Sequence, residues 1–369
     1  MLGSVTRPAI STRSGRQIAQ TDYGTNAAVA WTRSDLIPLG SDTILLSRVE
    51  YNGMGEVENR IDPRAIVTRH DYDQAGRLRR VVENYQPGCA GPDANRTTEF
   101  DYDASGRLAA MIALNSATGN QVTAFTFGVS NATGDSNIAR NDLVKTMAYP
   151  DSTSASDRVE FRYNRQGEAK YKKDPAGTVH EFNYDKLGRW TDDRITAFGP
   201  AIDQTVKRIS RTFENRGRIA KVTSYDAATS GTVLNELKRT YNDFRQIQYE
   251  YQNPAGAVSG GTPKVEYGYA DGTNNTVRRT TLIYPSTRTI TYSYGTGDLI
   301  DDFLCRVQDI KESTQSEVAY TYFGWEHRIA AVYSPASLSL ALWQSGAIGD
   351  AGDQYVGLDR FGRTEQMKW

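Results

Sequence analysis

Cysteine and histidine are scarce in this chain, and their scarcity limits the chemistry open to it. The 369 residues include two cysteines, Cys89 and Cys305, whose spacing matches neither a zinc site nor a redox pair. A disulfide between them and two free thiols both stay open. The three histidines, His70, His180 and His327, stand singly, and a side chain on a sheet surface explains them most simply. The sequence therefore predicts no metal site and no cofactor.

The sequence motifs of common enzymes are missing as well. No HExxH, GxSxG or phosphate-binding glycine loop occurs, and GTGDLI (295–300) fits a turn followed by a strand better than a phosphate loop. Two pairs of adjacent acids, at 192–193 and 301–302, are poor acid–base pairs, because neighbours in a strand point to opposite faces. We therefore expect a protein that is not an enzyme, with a glycosidase or propeller hydrolase as a distant alternative.

Long apolar runs and an excess of one charge are absent too. No segment approaches the length of a transmembrane helix, and residues 1–20 lack the apolar run of a secretion signal. The 43 Lys and Arg residues nearly balance 44 Asp and Glu, for a net charge of −1, and the basic residues are dispersed. Nucleic-acid binding needs a basic footprint. We expect no membrane span and no nucleic-acid partner.

Tyrosine and glycine, in contrast, are plentiful. The chain has 22 Tyr and 32 Gly, while its hydrophobic content is 38% with tyrosine included. That content is low for a solid core in a chain of this length. A thin sheet with both faces on water or a polar lumen accounts for it.

One short pattern recurs along the chain: an aromatic residue, an acid, two free positions, then Gly, Arg and an apolar residue. It reads HDYDQAGRL at 70–78, FDYDASGRL at 100–108 and EFNYDKLGRW at 181–190. The acid can accept hydrogen bonds from the following backbone amides, and the glycine supplies a positive φ. This is the chemistry of a type I turn with a Gly bulge, which closes a β-hairpin. The residues that form this structural turn motif in the three clearest copies are Tyr72, Asp73, Gly76, Arg77, Tyr102, Asp103, Gly106, Arg107, Tyr184, Asp185, Gly188 and Arg189.

The turn fixes a register for each hairpin. It places Tyr184 opposite Trp190, and Asp185 beside Arg189, with aromatic and aliphatic residues on one face and charged pairs on the other. Equivalent apolar pairs are Tyr72/Leu78, Tyr102/Leu108, Phe213/Ile219 and Tyr241/Ile247, and equivalent charged pairs are Asp73/Arg77, Asp103/Arg107, Glu214/Arg218 and Asp359/Arg363. One such hairpin is marginally stable, so an array is needed.

A second turn alternates with the first. KKDPAGTV (172–179) has Asp, Pro and Gly at turn positions. Turn residues then recur in a rhythm of ten and eleven residues, once at Gly167, Gly177 and Gly188 and once at Gly55, Ala65 and Gly76. The sequence predicts a repeat of 21 residues, built from two strands and two turns.

This 21-residue unit and its YDxxGR signature resemble the YD repeat of the bacterial Rhs and teneurin-like family. The resemblance implies an all-β fold, in which antiparallel β-hairpin repeats form a spiralling sheet that is part of a hollow shell. In that family the shell encloses a toxic C-terminal cargo or serves as a surface or adhesion module. Some shell-forming members cleave themselves with an aspartate, but the matching DPxGL-type segment is not found in this sequence, so that activity is not carried over.

The repeats divide the chain into three parts. Residues 1–48 form an N-terminal segment of unclear fold, 49–333 the repeat array, and 334–369 a C-terminal segment with a last turn at 357–364. Two insertions break the rhythm: one near 115–157, read as a strand pair around VTAFTFGV with long loops, and a Gly- and Pro-rich loop at 253–264. SLSLALW (337–343) suits a short helix or a strand.

These features lead to an expected function. We expect a non-enzymatic segment of a β-shell that encapsulates a toxin-like cargo or acts as a secreted or cell-surface scaffold. Its partners would be the remaining repeats and the C-terminal cargo of a larger polypeptide. We expect the chain to be a fragment that self-associates when it is made alone. The alternative is a carbohydrate-binding or adhesion module, in which exposed aromatic residues stack on glycans.

Overall fold

The fold was analysed in a computed structural model of the whole chain. It describes residues 6–11, 15–24, 37–89, 91, 93–270, 278–297, 299–323, 327–341, 363–364 and 367, with the backbone alone at 6–11, 323 and 327. Asp359 of the predicted pair Asp359/Arg363, most of the turn at 357–364 and the end of 337–343 therefore lie outside the described residues.

Apart from one short helix, the regular secondary structure of the described residues consists of antiparallel β-strands, so the predicted all-β fold of hairpin repeats is confirmed. The strands are β1 Thr6–Ser11, β2 Gln17–Asp22, β3 Leu45–Tyr51, β4 Val57–Ile61, β5 Val67–Tyr72, β6 Leu78–Glu83, β7 Arg96–Tyr102, β8 Leu108–Ala113, β9 Gln121–Val129, β10 Arg140–Ala148, β11 Val159–Tyr163, β12 Ala169–Lys173, β13 Val179–Tyr184, β14 Trp190–Ala197, β15 Arg208–Phe213, β16 Ile219–Tyr225, β17 Val233–Tyr241, β18 Ile247–Asn253, β19 Lys264–Tyr269, β20 Arg279–Ile283, β21 Thr289–Tyr294, β22 Val307–Glu312, β23 Gln315–Phe323, β24 His327–Tyr333 and β25 Leu338–Ala341. A short helix, α1, spans Ile300–Phe303.

The described residues form two compact units. One contains those within 1–97, 269–282 and 288–369, and the other those of 98–268 and 283–287. Inside the first unit, the strands from β1 to β6 and from β21 to β25 pair with antiparallel neighbours. Examples are β3 with β4 and β23 with β24. Inside the second unit, each strand from β8 to β18 likewise pairs with the next. The three-part division into 1–48, 49–333 and 334–369 stays a prediction.

Neither unit has a conventional core. Most strand residues are half-buried, as in β5 and β22, whose residues are all of intermediate exposure. The buried hydrophobic side chains among the described residues are Ala19, Val82, Val129, Val159, Ile290, Val318, Ile329 and Ala331. A sheet of this kind is held mainly by its strand ladders and by cross-strand contacts.

The two segments predicted as insertions each contain loops next to paired strands. The strand pair around VTAFTFGV is β9 with β10, followed by loops at 130–139 and 149–158. A loop also joins β18 to β19, and residues 338–341 form a strand. Cys89 and Cys305 form no disulfide with each other.

The prediction for GTGDLI (295–300) is wrong, because the segment leads into helix α1 instead of a strand. Asp301 and Asp302 lie in the first turn of α1, where acidic side chains favour a helix N-terminus. Arg306 and Arg278 form ion pairs with them. The backbone of Gly295 lies against Asp302, since a Cβ on Gly295 would be 2.6 Å from the Asp302 backbone nitrogen. No helix in the described part of the chain could span a membrane.

Candidate functional site

The turn between β13 and β14 shows how the repeated motif is built. The Asp185 N–H donates to the Arg189 carbonyl and the Gly188 N–H to the Asp185 carbonyl, both at 3.0 Å. Gly188 has a φ of 74°, and Tyr184 lies opposite Trp190, as the sequence predicts. The same closing bonds and positive glycine φ recur at 73–77 and 103–107.

The two carboxylate oxygens of Asp185 have separate partners. Oδ1 accepts the backbone N–H groups of Leu187 and Arg189, at 2.8 and 3.0 Å, and so holds the turn. Oδ2 accepts Nε and Nη2 of Arg189, at 2.7 and 2.6 Å. Asp73 and Asp103 divide their oxygens in the same way. One side chain thus closes the turn and orients the arginine.

These donors stabilise the ionised carboxylates. The Arg189 side chain makes the largest contribution to lowering the pKa of Asp185, and the Arg107 side chain does the same for the pKa of Asp103. The backbone N–H of Arg77 contributes most to the lowered pKa of Asp73. The turns are therefore built around charged aspartates.

The motif tyrosine reaches back to the first residue of an earlier strand. The Tyr184 hydroxyl donates to the Ala169 carbonyl at 2.8 Å, and Tyr72 donates to Val57 at 2.9 Å. Tyr294 and Tyr322 make the same bond to a residue 15 positions earlier. Burial raises the pKa of Tyr184, which keeps its hydroxyl protonated as a donor. The tyrosine is therefore a link between hairpins as well as a cross-strand partner.

The motif arginine reaches forward to the next hairpin. The guanidinium carbon of Arg189 lies 4.2 Å from the ring centroid of Phe213. The guanidinium carbon of Arg218 lies 4.1 Å from the ring centroid of Tyr241. The predicted separation of an aromatic face from a charged face is therefore wrong at the turns. The aspartate holds the edge of the guanidinium, which leaves its flat surface for the neighbouring ring.

A second version of the turn reverses the polarity of the pair. At 164–168, Asn164 Oδ1 accepts the backbone N–H groups of Gln166 and Glu168, while its Nδ2 donates to Glu168 Oε2 at 2.6 Å. The turns at 52–56 and 242–246 use Asn with Glu or Gln in the same way. The sequence predicted turn glycines at Gly55 and Gly167 and the opposition of Tyr241 and Ile247, but the pairing of Asn with Glu or Gln that closes these turns was missed. Their signal was an Asn four residues before Glu or Gln.

Neighbouring turns also meet directly. A Cβ placed on Gly188 would lie 2.6 Å from Glu168 Oε1, and one on Gly76 would lie 2.8 Å from Glu56 Oε1. The glycine of one turn therefore gives room to the acid of the turn before it, in addition to its positive φ. The motif is a ladder in which tyrosine, arginine and this acid connect successive turns.

The other candidate residues do not converge on a reactive centre. His180 Nδ1 lies 2.7 Å from Asp193 Oδ1, while Asp192 accepts the Ser210 hydroxyl at 2.6 Å. His70 is half-buried, and burial lowers its pKa. In the described ranges, no three His, Cys, Asp or Glu side chains are grouped to hold a metal.

A buried acid in the second unit was also missed by the sequence analysis. Glu236 accepts hydrogen bonds from Lys221 Nζ, the Thr223 hydroxyl and the Val258 N–H. Lys221 makes an ion pair with it, and the bond from Val258 ties the loop after β18 to the sheet. This carboxylate holds a loop in place, and nothing in the local sequence distinguishes it from an exposed strand glutamate.

Comparison with known proteins gives distant likenesses. No family model and no curated protein matches the chain. Among solved structures it is similar to TcdB2-TccC3 without its hypervariable C-terminal region, with 14% identity and a TM-score of 0.36 over 98% of this chain and 20% of that chain. It is similar also to a Photorhabdus luminescens Tc holotoxin pore with a mutated TccC3, with 13% identity and a TM-score of 0.35 over 98% of this chain and 19% of that chain. The chain spans about a fifth of the length of those chains, and likenesses at this level carry no argument about function.

Proposed function

We propose that this chain is a non-enzymatic wall segment of a YD-repeat β-shell. The ladder of turns supports the proposal most directly: the hairpin closed at 185–189 is linked to β12 through the Tyr184 hydroxyl and to β15 through the Arg189 guanidinium. Such a sheet is extended by adding repeats and needs no central core. Its half-buried strand residues suit a wall with water on both sides.

The partners of this wall are the remaining repeats and a C-terminal, toxin-like cargo of a larger polypeptide. We place the assembled protein outside the cell or on its surface, on the basis of the family resemblance of the repeat. In this proposal the role of the chain is enclosure, so its charged pairs serve the turns and take no part in catalysis.

Protease protection tests enclosure. The chain is produced together with the coding sequence that flanks it, and trypsin digestion is followed by mass spectrometry before and after mild denaturation. We expect the segment that follows the repeats to be protected in the native protein and cleaved after denaturation. A Gly188→Val variant, which weakens the wall at one turn, should shorten the protection, whereas Lys186→Ala should not.

Rapid native cleavage of the following segment, with the repeats intact, would count against enclosure. The adhesion alternative would then gain ground if the same protein bound a glycan array. Electron microscopy of the same sample should show the repeat sheet continuing into the flanking sequence.

A further inference from the structure

The loop at 130–139 departs from the repeated turns and folds rigidly against the sheet. Asp135 fixes its first half, because Oδ2 accepts the Ser130 hydroxyl at 2.9 Å and Oδ1 accepts the Ser136 N–H at 2.8 Å. The buried Ser136 hydroxyl accepts the Tyr163 N–H, and the Asn137 N–H donates to the Tyr163 carbonyl at 2.7 Å. The loop is thereby tied to the end of β11 and forms a wall.

A cavity of about 410 Å³ lies between this loop and strands β10 and β11. This volume falls in the range of small-molecule sites. Its lining is part polar and part apolar and carries both signs of charge, including the Asp135 carboxylate; the ligand-facing side chains in this proposal are those of Thr133, Lys145, Thr146, Glu160 and Arg162. Thr146 and Glu160 are cross-strand partners, so they stand side by side on one face, and Arg162 follows two positions along on the same face.

The cations of the cavity retain unused hydrogen-bonding capacity. Arg162 stacks 4.2 Å from the ring centroid of Tyr171, and its guanidinium has no carboxylate partner among the described residues. This distinguishes it from the motif arginines, such as Arg189, whose edge is held by an aspartate. Lys145 Nζ is 3.5 Å from Asp135 Oδ2, an oxygen already engaged by Ser130. A stacked guanidinium and a nearby ammonium present donors suited to an anionic group.

We propose that this cavity binds a small hydroxylated carboxylate, such as a sugar acid. Arg162 and Lys145 receive the carboxylate, while Glu160 and the threonine hydroxyls receive ligand hydroxyl groups. Among the described residues, Glu160 has one ion-pair partner, Lys173 at 3.7 Å, so it has capacity to accept from a ligand. The mixture of charges favours a ligand with one anionic group and several neutral polar groups over a multiply charged anion. The inference is independent of whether the sheet encloses a cargo.

Isothermal titration calorimetry of the full chain tests the proposal with D-glucuronate, D-glucose and D-glucose 6-phosphate. We expect saturable binding of glucuronate, with glucose at least about tenfold weaker because it lacks the anionic group. Equal binding of glucose, stronger binding of the phosphate ester, or no binding of any probe up to about 10 mM would overturn it.

Variants then place the site. Arg162→Gln should weaken glucuronate binding at least about tenfold, whereas Arg189→Gln, at a turn away from the cavity, should leave it unchanged. Thr133→Trp fills the cavity from an exposed loop position without removing a charge. This variant should abolish glucuronate binding. If Arg162→Gln fails to fold, Thr133→Trp alone decides. Wild-type affinity in a folded Arg162→Gln or Thr133→Trp protein contradicts the proposal.

Discussion

The turn glycine meets two demands at the same position. Gly188 has a φ of 74°, which β-branched residues strongly disfavour, and a Cβ there would lie 2.6 Å from Glu168 Oε1. Gly177, in the alternate turn, has a φ of 92° but no atom within 4 Å of the same added Cβ. Substitutions at the two glycines therefore distinguish the effect of backbone strain, present at both, from the effect of contact with the neighbouring turn, present only at Gly188.

We predict that Gly188→Val lowers the free energy of unfolding by about 1–2 kcal/mol or more, because it forces a β-branched residue into the left-handed region. Lys186→Ala, at an exposed position of the same turn, should change it by less than about 0.5 kcal/mol. Urea unfolding followed by circular dichroism measures both. Gly177→Ala should lower the free energy of unfolding by less than Gly188→Ala does. If Gly188→Val and Lys186→Ala proved equally stable, the turn assignment would be contradicted.

Acid should weaken the aspartate turns. The pKa of Asp185 is held below its ordinary value of 3.8, first by the Arg189 side chain, so the folded state binds the proton less well than the unfolded state. The stabilisation is therefore complete above pH 3.8 and is lost as the pH falls through the lower folded pKa. The pKa values of Asp73 and Asp103 are lowered too, and their contributions have the same sign.

Asp185→Asn removes one of these titrating groups. We expect a lower thermal midpoint than wild type at about pH 7, and a smaller fall in the midpoint between about pH 4 and pH 2. Differential scanning calorimetry across that range makes the comparison, with Lys186→Ala as the control. A fall as steep as that of wild type would show that Asp185 is not among the carboxylates responsible.

At the scale of one hairpin, the two versions of the turn are electrostatic mirror images. In one, Asp185 accepts from Arg189; in the other, Asn164 donates to Glu168. Both use the first side chain's Oδ1 to hold the same two backbone amides. The pair can therefore be exchanged as a unit, while exchange of one member alone places either two acceptors or two donors together.

We predict that Arg189→Glu lowers the thermal midpoint, because two carboxylates then face each other at the turn. Adding Asp185→Asn should restore most of the loss, since the turn then has the Asn–Glu pair of 164–168. The remaining deficit should reflect the lost stacking of Arg189 on Phe213. Thermal unfolding of the two single variants and the double variant forms a complete cycle, and additive losses would refute the exchange.

The sequence predicts the hairpin well because its determinants are local. Asp185, Gly188 and Arg189 lie within five residues, so their chemistry alone gives the turn and the opposition of Tyr184 and Trp190. The partner of the Tyr184 hydroxyl, in contrast, is a backbone carbonyl 15 residues away, which no side-chain pattern marks. The acids at 301–302 were misread as strand residues. Their arginine partners, Arg278 and Arg306, lie before and after the segment, so its own residues do not mark them.

The candidate cavity illustrates the same limit. The composition of 115–157 predicted a strand pair with long loops inserted into the repeat, and the structure has β9 paired with β10 there. It did not predict that Ser136 would be buried against Tyr163, and this contact is what brings the loop over Glu160 and Arg162. Long loops take their conformation from such distant bonds, so their sites cannot be read from spacing alone.

At the scale of the whole molecule, the described strands of each unit pack chiefly against neighbours in the sequence. Repeat proteins built this way have stabilities that are sums over neighbours, so a local defect spreads only a short distance. The turn bonds set that distance here, because a motif turn contacts the turn before it and the hairpin after it.

We therefore predict that Gly188→Val opens the sheet locally. Hydrogen exchange measured by mass spectrometry should accelerate in peptides from β12 to β15, which contain the altered turn and the partners of Tyr184 and Arg189. Exchange in β8 and β9, in the same unit but several hairpins away, should stay as in wild type, and Lys186→Ala should change neither region. A uniform acceleration across β8 to β18 would instead mean that the unit opens as one cooperative body, and that the ladder of turns does not confine the defect.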